Sequence, residues 1–427
     1  MRRRDFLKTL PALTAAAAVP TLRGARIKIT DIRVVKLRVL KDIGRFEGFL
    51  GPSDVTPVRI GGGSYLEILT DQGLSGIGPA IDPVQLPTLK SELIGKDPFD
   101  LQVLVGNLRE VNGMTTNRRT AAPAGTPVPA GMNLSDLAGR GGELGAARAY
   151  SSAEIALWDI IGKACNQPLY RLWGPAKERV APYASQSRLG TPEERADLAV
   201  QLKSKGWHGI KYRTHFPTMK EDIRLVEVAR KAVGDDFDIM CDANQATNGP
   251  LSPTVTWDFR RAAHTARAYQ DLNVYWLEEP LPRYDFDGLA ELNRMLEMPL
   301  AGGEGNRGLH EFRWLLEKGC FDIIQPEVQL EGPLELRKIA VLAESMNKTI
   351  APHVGDSRIA TICNIHLIAS FPNANYLEIF HDLPLQEYSN GFAIFEDAPV
   401  LDKDGYFTPP QKPGLGVTIN KDMILSS

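Results

Sequence analysis

Asp242 ends the apolar run Ile239-Met240-Cys241, and further acids fall into step behind it. Glu278 and Glu279 close Tyr275-Trp276-Leu277, and Glu304 follows Leu300-Ala301-Gly302-Gly303. The steps between them match the length of one strand-helix unit in an α/β barrel. In such a barrel the side chains at the C-terminal strand ends converge on one mouth, so carboxylates on successive strands point at one spot. Bare, they would repel and raise one another's pKa. A hard divalent cation removes that cost, and all-oxygen ligation favours Mg²⁺, or Mn²⁺, over zinc. The pattern is read as a metal site.

The rhythm continues on both sides. Ile323-Ile324-Gln325-Pro326-Glu327, Thr349-Ile350-Ala351-Pro352-His353 and Tyr376-Leu377-Glu378 end later apolar runs, and Gly209-Ile210-Lys211-Tyr212-Arg213 ends an earlier one. A rim of Lys, Asp, Glu, Glu, Glu, His and Glu in that order resembles the enolase superfamily, with the mandelate racemase/muconate-lactonizing type as the nearest branch. The resemblance covers nearly the whole chain after its N-terminal segment. It implies an α/β fold: a modified TIM-type (β/α)7β barrel with an α+β capping domain built from N-terminal and C-terminal segments.

The resemblance also implies roles. Of the pair Glu278-Glu279, the family pattern makes Glu278 the metal ligand beside Asp242 and Glu304, and leaves Glu279 behind it or facing the substrate. Members of this type carry Lys-x-Lys at the end of the second barrel strand, where the second lysine removes a proton. Here the motif is Lys211-Tyr212-Arg213. Strand alternation aims Lys211 and Arg213 inward and Tyr212 outward. Arg213 is a poor base because a guanidinium stays protonated, and it suits holding a carboxylate or enolate oxygen. Lys211 acts as a base only if its surroundings desolvate it. On the opposite face stands His353, whose family counterpart is oriented by an aspartate. This chain has Glu327, one methylene longer, so the dyad must differ in geometry. Glu378, if protonated, donates a hydrogen bond to the enediolate. Asn244 points toward the metal or substrate, and the absence of a histidine there argues against some acid-sugar dehydratase subtypes. His208, His215 and His381 are read as loop or packing residues.

The chain of 427 residues suits a barrel plus one further domain. A net charge of −3, with no long basic run beyond the N-terminus, argues against nucleic acid as a partner. Four widely spaced cysteines without a CxxC indicate neither a zinc site nor a disulfide framework, and Cys241 reads as a small core residue facing the helices. Arg2-Arg3-Arg4-Asp5-Phe6-Leu7-Lys8 resembles a twin-arginine export signal, and the apolar stretch from Thr9 to Val19 is too short to span a bilayer. Residues 1–25 are therefore expected to direct export to the periplasm, with no stable membrane insertion after their removal.

Residues 26–150 read as the capping domain, 151–382 as the barrel and 383–427 as a return to the capping domain. The Gly- and Pro-rich stretch from Ile43 to Gly63 is expected to close over the mouth and choose the substrate, with Arg45, Phe46 and Arg59 as candidate contacts. A second such stretch, 113–142, reads equally as a lid, a subunit contact or a disordered insert. Trp158 and Trp173 are expected to pack, and barrels of this kind are expected to form homo-oligomers.

A metal-assisted removal of the proton α to a carboxylate is the chemistry these residues support. With Arg213 in a base position, racemisation is disfavoured. Dehydration of a sugar acid to a 2-keto-3-deoxy acid, served by His353 alone, is the leading expectation. An epimerase or cycloisomerase using Lys211 and His353 is second, and a carboxylate-binding descendant without activity is a third.

Overall fold

The computed structural model describes residues 26–49, 55–111, 143–246, 255–355 and 357–425. The proposed export segment and the stretch 113–142 lie outside the described residues. Among the described residues no helix is long and apolar enough to cross a membrane.

The chain opens on alternating apolar residues that form β1 (Ile29–Lys36), paired antiparallel with β4 (Ser64–Thr70), which continues into β5 (Ser75–Gly78). The inward residues Ile29, Ile32, Leu66 and Ile68 pack on Leu89, Leu104 and Leu108 of two short helices and on the long helix Glu143–Ala164. Gly76 and Gly78 lie so close to that helix that a Cβ would meet the carbonyl oxygens of Ala156 and Ser152, which is why the strand has no side chains there. Between β1 and β4 the stretch expected as irregular instead forms a two-stranded ribbon, β2 (Val39–Glu47) with β3 (Val55–Gly61). Its pairing shifts register between Val39 and Lys41 and again between Asp42 and Gly44. These bulges, with Pro57 in the strand, break the period-2 pattern by which strands are read.

The barrel strands are β6 (Ala181–Ser185), β7 (Gly209–Arg213), β8 (Asp238–Asp242), β9 (Trp276–Glu278), β10 (Leu300–Gly302), β11 (Ile323–Ile324), β12 (Thr349–Ile350) and β13 (Tyr376–Phe380). Each pairs in parallel with its sequence neighbour, β13 pairs with β6, and a bridge between Ile350 and Ala374 links the two ends. The intervening helices start on sequence-encoded caps, such as the reciprocal Thr191–Glu194 and Thr218–Glu221 boxes. Residues facing those helices, Tyr212 and Cys241 among them, join the large core between strands and helices. Inside the barrel, below its mouth, Tyr183, Met240, Trp276, Ala301, Ile323, Ala351 and Tyr376 form a separate apolar plug.

Arg213 stands opposite Asp242, and Asp242 opposite Glu278, in the strand register. The polar residues at these strand ends are therefore level with one another, directly above the plug. The C-terminal segment leaves the barrel after β13 and returns to the capping domain, where Leu37 bridges Ile424 and the Leu425 amide donates to Lys36 O at 3.0 Å. Buried Asp159 ties three parts together, accepting from the amides of Ile77 and Leu415 and from Lys163. Trp158 and Trp173 pack edge to face with ring centres 5.4 Å apart.

Candidate active site

Lys211 and Arg213 both enter the barrel, as β7 alternation requires, yet each is already bound to acids. The Lys211 ammonium lies 2.9 and 3.0 Å from the two oxygens of Glu278 and 2.9 Å from Glu378, over the ring of Tyr183. It is fully buried. Burial alone would lower its pKa, but Glu278 and Glu378 outweigh burial and hold it well above the ordinary lysine value. In this arrangement the lysine is held as the cation, paired with two acids of the site. Arg213 pairs with Asp242, donates to Gln186 O at 2.9 Å, and lies 4.3 Å from the ring centre of Phe49. Its predicted anion is thus a carboxylate of the site itself.

Asp242 also accepts from the backbone and side-chain nitrogens of Asn244 at 2.8 and 3.0 Å. Glu278 takes further hydrogen bonds from Trp276 Nε1 at 3.2 Å and Gln325 Nε2 at 2.8 Å. Its neighbour Glu279 is different. It sits at φ 46°, a costly conformation for a glutamate, and among the described residues neither of its buried oxygens has a hydrogen-bond partner. Burial, with Glu304 and Asp242 nearby, pushes its pKa well above the usual carboxylate range, against the pull of Arg283.

Across the mouth, His353 Nδ1 is 2.7 Å from Glu327 Oε2 and its Nε2 is 3.2 Å from Glu304 and 3.8 Å from Glu378. The longer side chain of Glu327 does reach the ring. Its carboxylate is fixed by the amides of Gly355 and Gln329, both at 2.8 Å, and caps the helix Val328–Ser345. Burial acts to lower the imidazole pKa, but Glu304, Glu378 and Glu327 together raise it to about 10. Glu378 can donate to an enediolate only if it is protonated. Burial favours that form, but Lys211, His353 and Arg213 outweigh it and hold the pKa at about 2, so the group is an ionised acceptor.

The capping ribbon reaches this mouth. Phe49 rests on Arg213, and its carbonyl is 2.9 Å from His215 Nε2, so His215 anchors the cap rather than filling a loop. Burial lowers the His215 pKa to about 4 and keeps the ring neutral. Sequence reading missed Tyr183, Trp276 and Gln325 as parts of the site. Their only signal was position on barrel strands or at a strand end, which apolar packing explains as well. His381 stacks on Trp207, and His208 lies tilted against Tyr406.

Among the described residues no three His, Cys, Asp or Glu side chains stand grouped as they would around an ion. Asp242 is turned to Arg213 and Glu278 to Lys211. The donor chemistry nevertheless fits a hard divalent cation. Six carboxyl groups, Asp242, Glu278, Glu279, Glu304, Glu327 and Glu378, face two permanent cations and one imidazole, and Glu279 offers two unpartnered oxygens.

The chain is similar to proteins already known. Residues 194–423 match the family model described as enolase C-terminal domain-like. The chain is 28% identical over 418 residues to an L-talarate/galactarate dehydratase of Salmonella typhimurium, covering 97% of this chain and 87% of that protein. It is 32% identical over 290 residues to a 3,6-anhydro-alpha-L-galactonate cycloisomerase of Streptomyces coelicolor, covering 66% of this chain and 72% of that one. A solved structure of an enolase superfamily member from Polaromonas sp. JS666 superposes with a TM-score of 0.72 at 26% identity, over 92% of this chain and 96% of that one.

Proposed function

The chain belongs to the enolase superfamily, of the mandelate racemase/muconate-lactonizing type, and on that premise we propose that it dehydrates a sugar acid to a 2-keto-3-deoxy acid with Mg²⁺ as cofactor. One observation carries the choice of reaction. Among the groups read as bases, Lys211 is locked between Glu278 and Glu378 and Arg213 on Asp242, whereas His353 Nε2 faces Glu304, an acid that would turn to the cation. Racemisation needs a competent group on each face of the substrate, whereas elimination can be served by one.

Asp242, Glu278 and Glu304 would hold the cation, with Glu279 as a fourth carboxylate beside them. Bound there, Mg²⁺ supplies positive charge for the substrate carboxylate and for the negative charge that grows as the α-proton leaves. The remaining steps belong to the protein. Glu327 fixes His353 through Nδ1, which leaves Nε2 as the nitrogen facing the site. With Glu304 drawn to the cation, the acid that most raises the imidazole pKa would be withdrawn, and neutral Nε2 would take the α-proton. The electron pair of that C–H bond forms the α,β double bond, and the bond from the β-carbon to its hydroxyl breaks. The hydroxyl leaves as water with the proton returned from Nε2, and the enol product tautomerises to the keto acid. Lys211 and Arg213 stay cationic and offset the charge on the acids around them.

The test is an NMR screen of Mg²⁺-loaded protein in D₂O against aldonic, aldaric and uronic acids. Loss of the α-proton signal with appearance of a 2-keto-3-deoxy acid supports the reading. Deuterium entering unreacted substrate or a cyclised isomer, without keto acid, would move the assignment to epimerase or cycloisomerase. That second reading is favoured by the cycloisomerase relative. Residues 1–25 are proposed as an export signal on their Arg3-Arg4 pair. Substituting Arg3→Lys with Arg4→Lys should leave the protein in the cytoplasm on cell fractionation, and unchanged periplasmic recovery would rule that out.

A further inference from the structure

Gln329 stands in the first turn of the helix Val328–Ser345, and its backbone amide donates to Glu327 Oε1 at 2.8 Å. Its position is thereby set against the carboxylate that holds His353. Gln329 lines a cavity of about 550 Å³ that opens between the capping ribbon and the barrel mouth. The same wall carries Gly355, whose backbone amide donates to Glu327 Oε2 at 2.8 Å. A Cβ on Gly355 would stand 2.8 Å from Gln329 Nε2 and 3.6 Å from Glu327 Oε2. Gly355 does not adopt the left-handed backbone that calls for glycine, so what it supplies is room. That room brings the Gln329 carboxamide up beside the dyad.

The carboxamide is half-buried, yet its Nε2 donates to none of the described residues. Gln386 on the same wall differs, because its Oε1 accepts from Ser187 Oγ. A substrate that fills the cavity displaces water from Gln329 Nε2, and must replace that hydrogen bond or leave the donor unmet. A primary amide presents a donor and an acceptor side by side and carries no charge. A hydroxyl, which also donates and accepts, matches both ends. A carboxylate can use only the donor.

We propose that Gln329 is a specificity-determining residue: its carboxamide binds a substrate hydroxyl on a carbon beyond the β-carbon, and Gly355 is what lets it reach. This rests on the proposed dehydratase reading and narrows its substrates to acids hydroxylated past the two carbons that react. Those two carbons lie at His353 Nε2, and the chain beyond them runs along the wall on the Glu327 side of the ring. An acid that is unsubstituted there leaves the donor unmet.

The test compares the hexonic acid of the configuration turned over fastest with its γ-deoxy and δ-deoxy analogues, in parent protein, Gln329→Met and Gly355→Ala. Methionine keeps the length of the side chain and removes its hydrogen bonds. The parent should favour the hexonate over one of the two analogues roughly 10-fold in kcat/KM, the upper range for one hydrogen bond. In Gln329→Met that ratio should fall to about one, through KM, with the pH profile of kcat unchanged. Which analogue responds names the carbon. Gly355→Ala pushes the carboxamide aside and should lower the same ratio, and combining the two substitutions should lower it no further. A parent ratio near one, or a ratio unchanged in both variants, overturns the proposal. So does a fall in kcat shared by all three acids with a shifted pH profile, because Gln329 would then act through Glu327. If no hexonate of any configuration is turned over, the dehydratase reading fails, and calorimetric affinities for the same three acids take the place of rates. A preference that Gln329→Met abolishes still upholds the contact, whereas an unchanged preference, or binding of none of them, counts against it. The Gln329 side chain donates to no described residue, so its variant is expected to melt with the parent.

Discussion

Glu327 serves two masters: one oxygen binds His353 and the amide of Gly355, and the other caps a helix through Gln329. Because backbone amides hold the carboxylate, Glu327→Gln should keep the ring in place while removing the charge that supports its basicity. The expected loss is on the order of 100-fold in kcat with little change in KM, read from steady-state kinetics. A variant with wild-type kcat would mean that His353 is not the proton carrier. Lys211 invites the opposite experiment. Lys211→Met leaves Glu278 and Glu378 buried without their cation, so a loss of roughly 3–5 kcal/mol in stability is expected along with activity. Urea unfolding measures it, and full stability with lost activity would restore Lys211 as a base. At this scale the strand-end acids were legible because each interrupts an apolar run. The pairing of Arg213 with Asp242 was not, since it depends on two strands being level in register. The ionised state of Glu378 was hidden for the same reason, being set by Lys211, His353 and Arg213 from other strands.

The barrel strands announce themselves by rhythm, whereas the capping ribbon does not. Gly44 at φ 145°, Pro57 and two register shifts erase the alternation in β2 and β3, so a paired ribbon looks like a loop in sequence. Where it meets the mouth, Phe49 lies against Arg213 and the Phe49 carbonyl meets His215. His215→Ala should therefore loosen the cap without touching the reacting groups. Losing one net hydrogen bond of about 1 kcal/mol corresponds to roughly a five-fold rise in KM, with kcat nearly kept. A fall in kcat with constant KM would show instead that His215 acts on the chemistry. His215 stays neutral above pH 5, because burial lowers its pKa to about 4, so the effect on KM should not vary between pH 6 and 8.

At the scale of the whole molecule, the capping domain and the barrel meet through buried charge. Glu154 on the long capping helix accepts from the amide of Leu334 on the barrel side, and its other oxygen has no hydrogen-bond partner among the described residues. Gly332, at φ 72°, is the residue that makes room, since a Cβ there would lie 2.2 Å from Glu154 Oε2. Glu331 accepts twice from the Gly308 amide, and Arg109 bridges Glu331 and Glu335 from the capping domain. Burial raises both Glu154 and Glu331 to about 7 from an ordinary carboxylate value. The sign of the consequence follows from proton counting. Between about pH 4.5 and 7 the folded protein binds more protons than the unfolded chain at these sites, so folding stability falls as pH rises through that window. Below the window both states are protonated, and above it the full penalty remains. Glu154→Gln keeps an oxygen to accept from Leu334 but cannot ionise. It should match the parent near pH 4.5 and exceed it at pH 8, by up to about 3 kcal/mol for a displacement of this size. Denaturant unfolding of both proteins at pH 5 and pH 8 reads the difference directly. Parallel stability curves would mean that Glu154 is ionised at no cost, and that its burial against Gly332 is relieved by a proton donor on the barrel side. A gap that opens between pH 5 and 8 would identify this junction as the place where rising pH weakens the hold of the cap on the barrel, and with it the mouth that the two domains share.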